Sequence, residues 1–211
     1  MRTKILKEKR DESIRRILDA AMEIFAESGY EGARIDEIAK RAGVNKAMIY
    51  YRIGDKKTLY GKILHDVFGD TAERIARNIN EDHPPEEKLR AYIINLAGTI
   101  AQHPHLPNIM MREIASGGGL LNETVINELA GILVILKKIL DEGVEKNMFI
   151  ETNPLMVHMM VIGAMIIFKA SEPVREKHHH LLSGRLGDQE NSSLEAMARE
   201  VEKLVLRALK I

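Results

Sequence analysis

The chain has 211 residues, with 31 Lys plus Arg against 31 Asp plus Glu and no cysteine. That length suffices for one large or two smaller hydrophobic cores, and the missing thiols exclude disulfides, thiolate nucleophiles and Cys-based zinc or iron–sulfur sites. The neutral total hides an asymmetry: residues 1–62 hold 15 basic against 10 acidic side chains, and residues 63–211 hold 16 against 21, a basic head on an acidic body that suits DNA binding and also chance clustering of solvated charge.

Period-2 alternation is missing, and apolar positions recur at three and four, so the fold class is all-α with about nine helices in all. The leading segment, with Arg2, Lys4, Lys7, Lys9 and Arg10, lacks the apolar stretch of a signal peptide and reads as a disordered basic tail in the absence of DNA. A cytoplasmic location is expected. Ile14, Ile17, Leu18, Ala21, Ile24 and Phe25 draw one apolar stripe, which predicts a first helix over residues 11–28 stopped by Gly29. Two short helices follow, over 35–41 and 45–52, on either side of Ala42-Gly43-Val44. The Asn45 side chain stands where it can accept from the free N–H groups of the second. Asp55 caps a long helix with Leu59, Ile63, Val67 and Phe68, which breaks at Glu81-Asp82-His83-Pro84-Pro85.

Further helices are expected over 85–102, 106–115, 122–147 and 154–171, the third after a flexible Gly117-Gly118-Gly119 break and the last opened by Pro154 in its first turn. Residues 171–191 read as a polar loop holding the His178-His179-His180 run. Ser192-Ser193-Leu194-Glu195 has capping-box spacing before a final helix marked by Leu194, Met197, Val201, Leu204 and Ala208. The longest apolar run, 155–168, is interrupted by His158 and falls short of the roughly 20 residues needed to cross a bilayer, so no membrane partner is expected.

The paired short helices meet the demand of a helix-turn-helix, in which the first lies across the DNA backbone and holds the second end-on in the major groove. On spacing alone an ordinary helical hairpin fits equally well. The residues add more: DEIAKRAGV at 36–44, Ile49-Tyr50-Tyr51, and the D-K-x-x-L stretch from Asp55 to Leu59. With these in register, residues from about 10 to 62 resemble the DNA-binding domain of the TetR family of repressors. The resemblance implies a three-helix helix-turn-helix domain over 1–54 and a larger helical ligand-binding and dimerisation domain over 55–211. It also implies a bacterial, ligand-responsive transcription regulator, a repressor, that binds a palindromic double-stranded operator as a homodimer and is released by a small-molecule effector, with no cofactor.

Roles follow from that resemblance. Lys46, Ala47 and Met48 would face bases, the lysine donating to guanine acceptors and the two apolar side chains meeting a thymine methyl. Tyr51 and Lys56 would reach phosphates, and Asn45 and Tyr50 complete the DNA-facing set. Arg34 stands where the family usually carries a capping Ser or Thr, so the cap is lost or replaced by a phosphate contact. Arg52, also counted as DNA-facing, and Ile53 replace a His or Tyr followed by an aromatic, so base preference does not carry over from relatives.

In the body, the segment from Leu155 to Phe168 is apolar on every side and must be covered on every side. The same helix of a second subunit, joined by the last helix, provides that cover in the resembling family. Met156, Met160, Gly163, Ala164, Ile167, Met197, Val201 and Leu204 are the expected interface, with a fully buried monomer core as the alternative. For a flexible, mainly apolar effector the candidates are Met110, Met111 and Met159, with His65, His103 and His158 as polar anchors. No catalytic constellation or metal site is expected, because the one Glu-x-x-His spacing, Glu176 to His179, falls in the polar loop. The competing function is a helical adaptor that binds protein rather than DNA.

Overall fold

The computed structural model describes residues 2–181 and 193–211. Ten helices of six residues or more occur among them: α1 (Arg2–Gly32), α2 (Ile35–Ala42), α3 (Lys46–Arg52), α4 (Lys56–Asn78), α5 (Pro85–Gln102), α6 (Leu106–Ala115), α7 (Glu123–Glu145), α8 (Pro154–Ala170), α9 (Glu172–Lys177) and α10 (Leu194–Leu209). Beyond an isolated bridge between Phe149 and Lys210, the described residues show no extended pairing.

Two segments depart from the expectations. The leading residues are helical from Arg2 onward rather than a disordered tail. They contain neither Gly nor Pro, and a helix already nucleated by the packed stripe extends backward through them at little cost. Gly29 marks a kink rather than a stop: its φ of 73°, which glycine adopts freely, interrupts α1 before a last turn ending at Gly32. The segment taken as a loop opens with α9, in which no residue is buried. Arg175 holds it in place, donating to the Phe168 carbonyl and to Ser171 Oγ (2.7 Å) with its guanidinium 3.9 Å from the Phe168 ring centre. Ser192 lies outside the described residues. Ser193 caps α10, its Oγ accepting from Ala196 N at 3.2 Å.

The described chain divides into two compact units. The first holds the residues up to Val67 together with Asn108–Val125, and the second holds Phe68–Pro107 with the rest of the C-terminal part. The first unit therefore extends beyond the expected boundary at 54/55, because Leu59, Ile63, Leu64 and Val67 of α4 are buried and supply its core. Ile17, Ala21, Ile24 and Phe25 of α1 join them, with Ile35, Ile38 and Ala39 of α2, Ile49 of α3 and Ile109 of α6. Burying each such side chain contributes about 1.5–3 kcal/mol.

In the second unit α8 and α10 pack on each other and on α5. Leu89, Tyr92 and Ile93 of α5, Val157, Val161 and Met165 of α8, and Val201, Val205 and Leu209 of α10 are all buried. Among its buried polar groups, Lys88 donates to Glu142 at 2.8 Å, and Thr71 and Thr99 share a bond of 2.9 Å. Among the described residues, only one side of α8 is covered. Leu155, Met156, Met159, Met160 and Ile167 all remain about half exposed.

Candidate nucleic-acid interface

The reading head is built on a tight turn. Gly43 takes a left-handed φ of 65°, its N–H and that of Val44 returning to the Lys40 and Ala39 carbonyls at 3.2 and 3.0 Å to close α2. Two residues later Asn45 opens α3, its side-chain oxygen accepting from Ala47 N at 2.9 Å. Ile49, fully buried, is the anchor that presses α3 onto the unit. Once that residue points inward, helical periodicity turns its neighbours outward: Lys46, Ala47 and Tyr50 are exposed, Met48 is half-buried, and Tyr51 is 88% exposed. A tyrosine so uncovered, beside a helix start without acidic side chains, forms a face suited to a polyanion.

Ion pairs hold the scaffold. Arg41 of α2 reaches Glu27 at 2.7 Å, Glu23 at 3.5 Å and Glu37 at 3.7 Å, tying α2 to α1. Lys46 pairs with Asp36 of α2 at 2.8 Å, and that hydrogen bond raises the lysine pKa above its ordinary value. Arg34 is exposed and makes no side-chain cap on α2, as its type implies. Arg52 is half-buried, and its Nε finds no acceptor among the described residues.

Lys56, expected to reach a phosphate, is engaged within its own unit in this structure. Its ammonium donates to the carbonyls of Tyr30 (2.8 Å), Ala33 (3.2 Å) and Glu31 (3.4 Å), and it sits 4.4 Å from the Tyr30 ring centre. Its three protons therefore go to the end of α1, where carbonyls lack helical partners. Lys57, next along, is exposed at the start of α4. Asp55 caps that helix, accepting from Thr58 N and Oγ1 at 2.7 Å each, which lowers its pKa.

The expected effector residues are shared between the two units. His65, Met110 and Met111 belong to the first unit, and His103, His158 and Met159 to the second. Met110 is buried, whereas Met111 and Met159 are exposed. His103 closes α5. His158 Nδ1 shares a hydrogen bond of 2.7 Å with the Tyr92 hydroxyl, and burial pushes its pKa down to about 4. None of the six lines the groove of about 550 Å³ between α5 and α10, which is walled by Ile94, Ala97, Ala101, Leu194 and Leu206 and edged by Arg199 and Lys203. Of the expected interface residues, Met156, Met160, Ile167 and Leu204 are exposed, while Gly163, Ala164 and Met197 are half-buried. Val201 is buried in its own chain and drops out of the free face.

Glu113 and Tyr60 escaped the sequence reading. The Tyr60 hydroxyl donates to Glu113 Oε1 at 2.5 Å with both side chains buried, and burial together with that bond raises the tyrosine pKa. A signal was present, since Glu113 stands four residues after Ile109 and three after Met110, on the apolar stripe of α6.

Known proteins carry the same pattern. The family described as bacterial regulatory proteins, tetR family, matches residues 17–63, and the tetracyclin repressor-like C-terminal domain matches residues 82–168. The fatty acid metabolism regulator protein of Bacillus subtilis (strain 168) is 31% identical over 140 residues, 66% of this chain and 72% of that one. The transcriptional repressor NicS of Pseudomonas putida is 26% identical over 154 residues, 72% of this chain and 73% of that one. Among solved structures, FadR from Bacillus subtilis in complex with stearoyl-CoA superposes with a TM-score of 0.71 at 24% identity, covering 92% of this chain and 97% of the other. A tetR-family regulator from Rhodococcus RHA1 reaches 0.73 at 16% identity over 94% and 97%. The chain belongs to the TetR family of helix-turn-helix transcription regulators.

Proposed function

We propose that the protein is a repressor that binds a palindromic operator as a homodimer and leaves it when a small, largely apolar effector binds. The observation that carries the reading is the outward face of α3, where Lys46, Ala47, Met48 and Tyr51 project around a helix fixed by its cap and by Ile49. Lys46 and Met48 read base edges, Tyr51 and Lys57 meet phosphates, and Arg34, Tyr50 and Arg52 flank them. The half-exposed apolar row of α8, with Leu204 of α10, supports pairing with a second copy, because so continuous an uncovered strip is costly in water. Two-fold pairing places the reading helices on half-sites about 34–36 Å apart. Relatives named for fatty acid metabolism, one solved with stearoyl-CoA, make a fatty acyl thioester the first effector to try. The α5–α10 groove, with its apolar wall and an edge where Arg90, Arg199 and Lys203 stand beside Glu195 and Glu202, is its candidate seat.

Fluorescence anisotropy against operator sequences selected from a random pool tests this. Binding should fall steeply as salt rises, since each neutralised phosphate releases counterions, and Lys46→Ala should shift base preference at one position by about 1–3 kcal/mol. A protein-binding adaptor would show neither salt-dependent affinity nor a selected sequence, and that outcome would end the repressor reading.

A further inference from the structure

A second polar feature lies within the unit that carries the reading head and is not needed for contact with DNA. A cavity of about 650 Å³ opens between α1, α4 and α6, lined by Phe25, Tyr30, Tyr60, Ile109, Glu113 and Leu120 among others. Its rings are close together, Phe25 and Tyr60 meeting edge to face at 4.9 Å and Tyr30 and Tyr60 at 5.3 Å. Glu113 is 3% exposed. One of its oxygens takes the Tyr60 proton donor, and the other, Oε2, is buried and meets no donor among the described residues.

Such an oxygen is costly unless something donates to it. Two cationic side chains stand at the wall and neither meets that oxygen: Arg112 donates through Nη2 to the Glu27 carbonyl at 3.1 Å, and Lys56, 4.4 Å from the Tyr30 ring centre, donates to the Tyr30 carbonyl. Glu31, on the same wall, adds a second negative charge. Aromatic faces attract cations, a carboxylate forms its strongest hydrogen bonds with charged N–H donors, and Ile109 and Leu120 offer apolar contact.

We propose that Tyr30, Tyr60 and Glu113 form a binding site for a small organic cation bearing N–H donors, an amine or amidinium on an apolar group. The cation donates to Glu113 Oε2 and lies against the tyrosine rings. This site is separate from the α5–α10 groove, and its occupation requires no DNA, so its test is independent of the repressor reading.

The test is calorimetric titration of the full chain with benzamidinium and, as a neutral isostere, benzamide, followed by NMR of ring-labelled tyrosines. Benzamidinium should bind saturably and at least about tenfold more tightly than benzamide, shifting the Tyr30 and Tyr60 ring resonances. Glu113→Gln, which keeps an acceptor for Tyr60, should cost a similar factor with an unchanged circular dichroism spectrum. Equal affinity for the two probes, unmoved tyrosine resonances, or no saturable binding up to roughly 10 mM, near the weak limit of measurable affinity, would overturn the site, as would a folded Glu113→Gln chain that binds like the parent. If that variant unfolds, the comparison of probes and the ring shifts in the parent chain decide alone.

Discussion

Replacing Lys56 with methionine separates two tasks that one lysine could perform. The thioether keeps most of the stem that lies along Tyr30 but removes every donor, so the carbonyls of Tyr30, Glu31 and Ala33 lose their cation. A hydrogen bond to a charged group contributes about 1.5–3 kcal/mol, and a cation over a ring about 0.5–1 kcal/mol at an exposed site. Lys56 is half-buried, so water replaces part of what is lost, and the net destabilisation expected is about 2 kcal/mol. For a chain of this size that corresponds to a midpoint lowered by about 4–8 °C. Thermal and urea unfolding at fixed concentration measure it, with operator affinity recorded where the variant is still folded. Lys57→Met serves as the counterpart, expected to melt with the parent while weakening every DNA site alike. Should Lys56→Met unfold like the parent yet lose DNA affinity, the lysine serves the phosphate after all, and the role assigned to it at the end of α1 is wrong.

Two more outcomes follow from described contacts. Asp36→Asn removes the acid that holds Lys46; an exposed pair of this kind contributes about 0.2–1 kcal/mol, so stability should hardly change while affinity for any duplex rises severalfold, and an unchanged or lower affinity in a gel-shift titration would contradict the pairing as a restraint. His158 has a folded-state pKa of about 4 against an ordinary 6.5, so the unfolded chain takes up its proton first as pH falls. Stability should therefore drop between pH 6.5 and 4, by up to about 3 kcal/mol. The double variant His158→Leu with Tyr92→Phe, which removes both buried polar partners, should show a shallower decline over that window in urea titrations at stepped pH; parallel curves would reject the assignment.

Much of this architecture was legible in the residues because its signals are local. Asn45 caps α3 through a bond that spans two residues, Pro85 and Pro154 start helices where a missing N–H does no harm, and Gly43 turns left-handed between two helices. Contacts between distant residues were not legible. Nothing in the sequence around Lys56 reveals that the end of α1, 26 residues earlier, takes its protons. Nor does periodicity show that Val201 turns inward while Leu204 stays out, since α10 meets α5 on one side and α8 on another. The candidate effector residues meet the same limit: histidine and methionine are informative by type, but only the packing decides which of them share a space.

The shortness of α3 has a thermal consequence. A helix of seven residues cannot persist by itself in water, where even favourable sequences need about 12–15 residues to be marginal, so it survives only by leaning on its surroundings through Ile49. Warming should loosen this element first, well before the long helices melt. The gene-facing end of the protein would then lose its grip while most of the helical content endured, so that heat alone would lift the proposed repression without any effector.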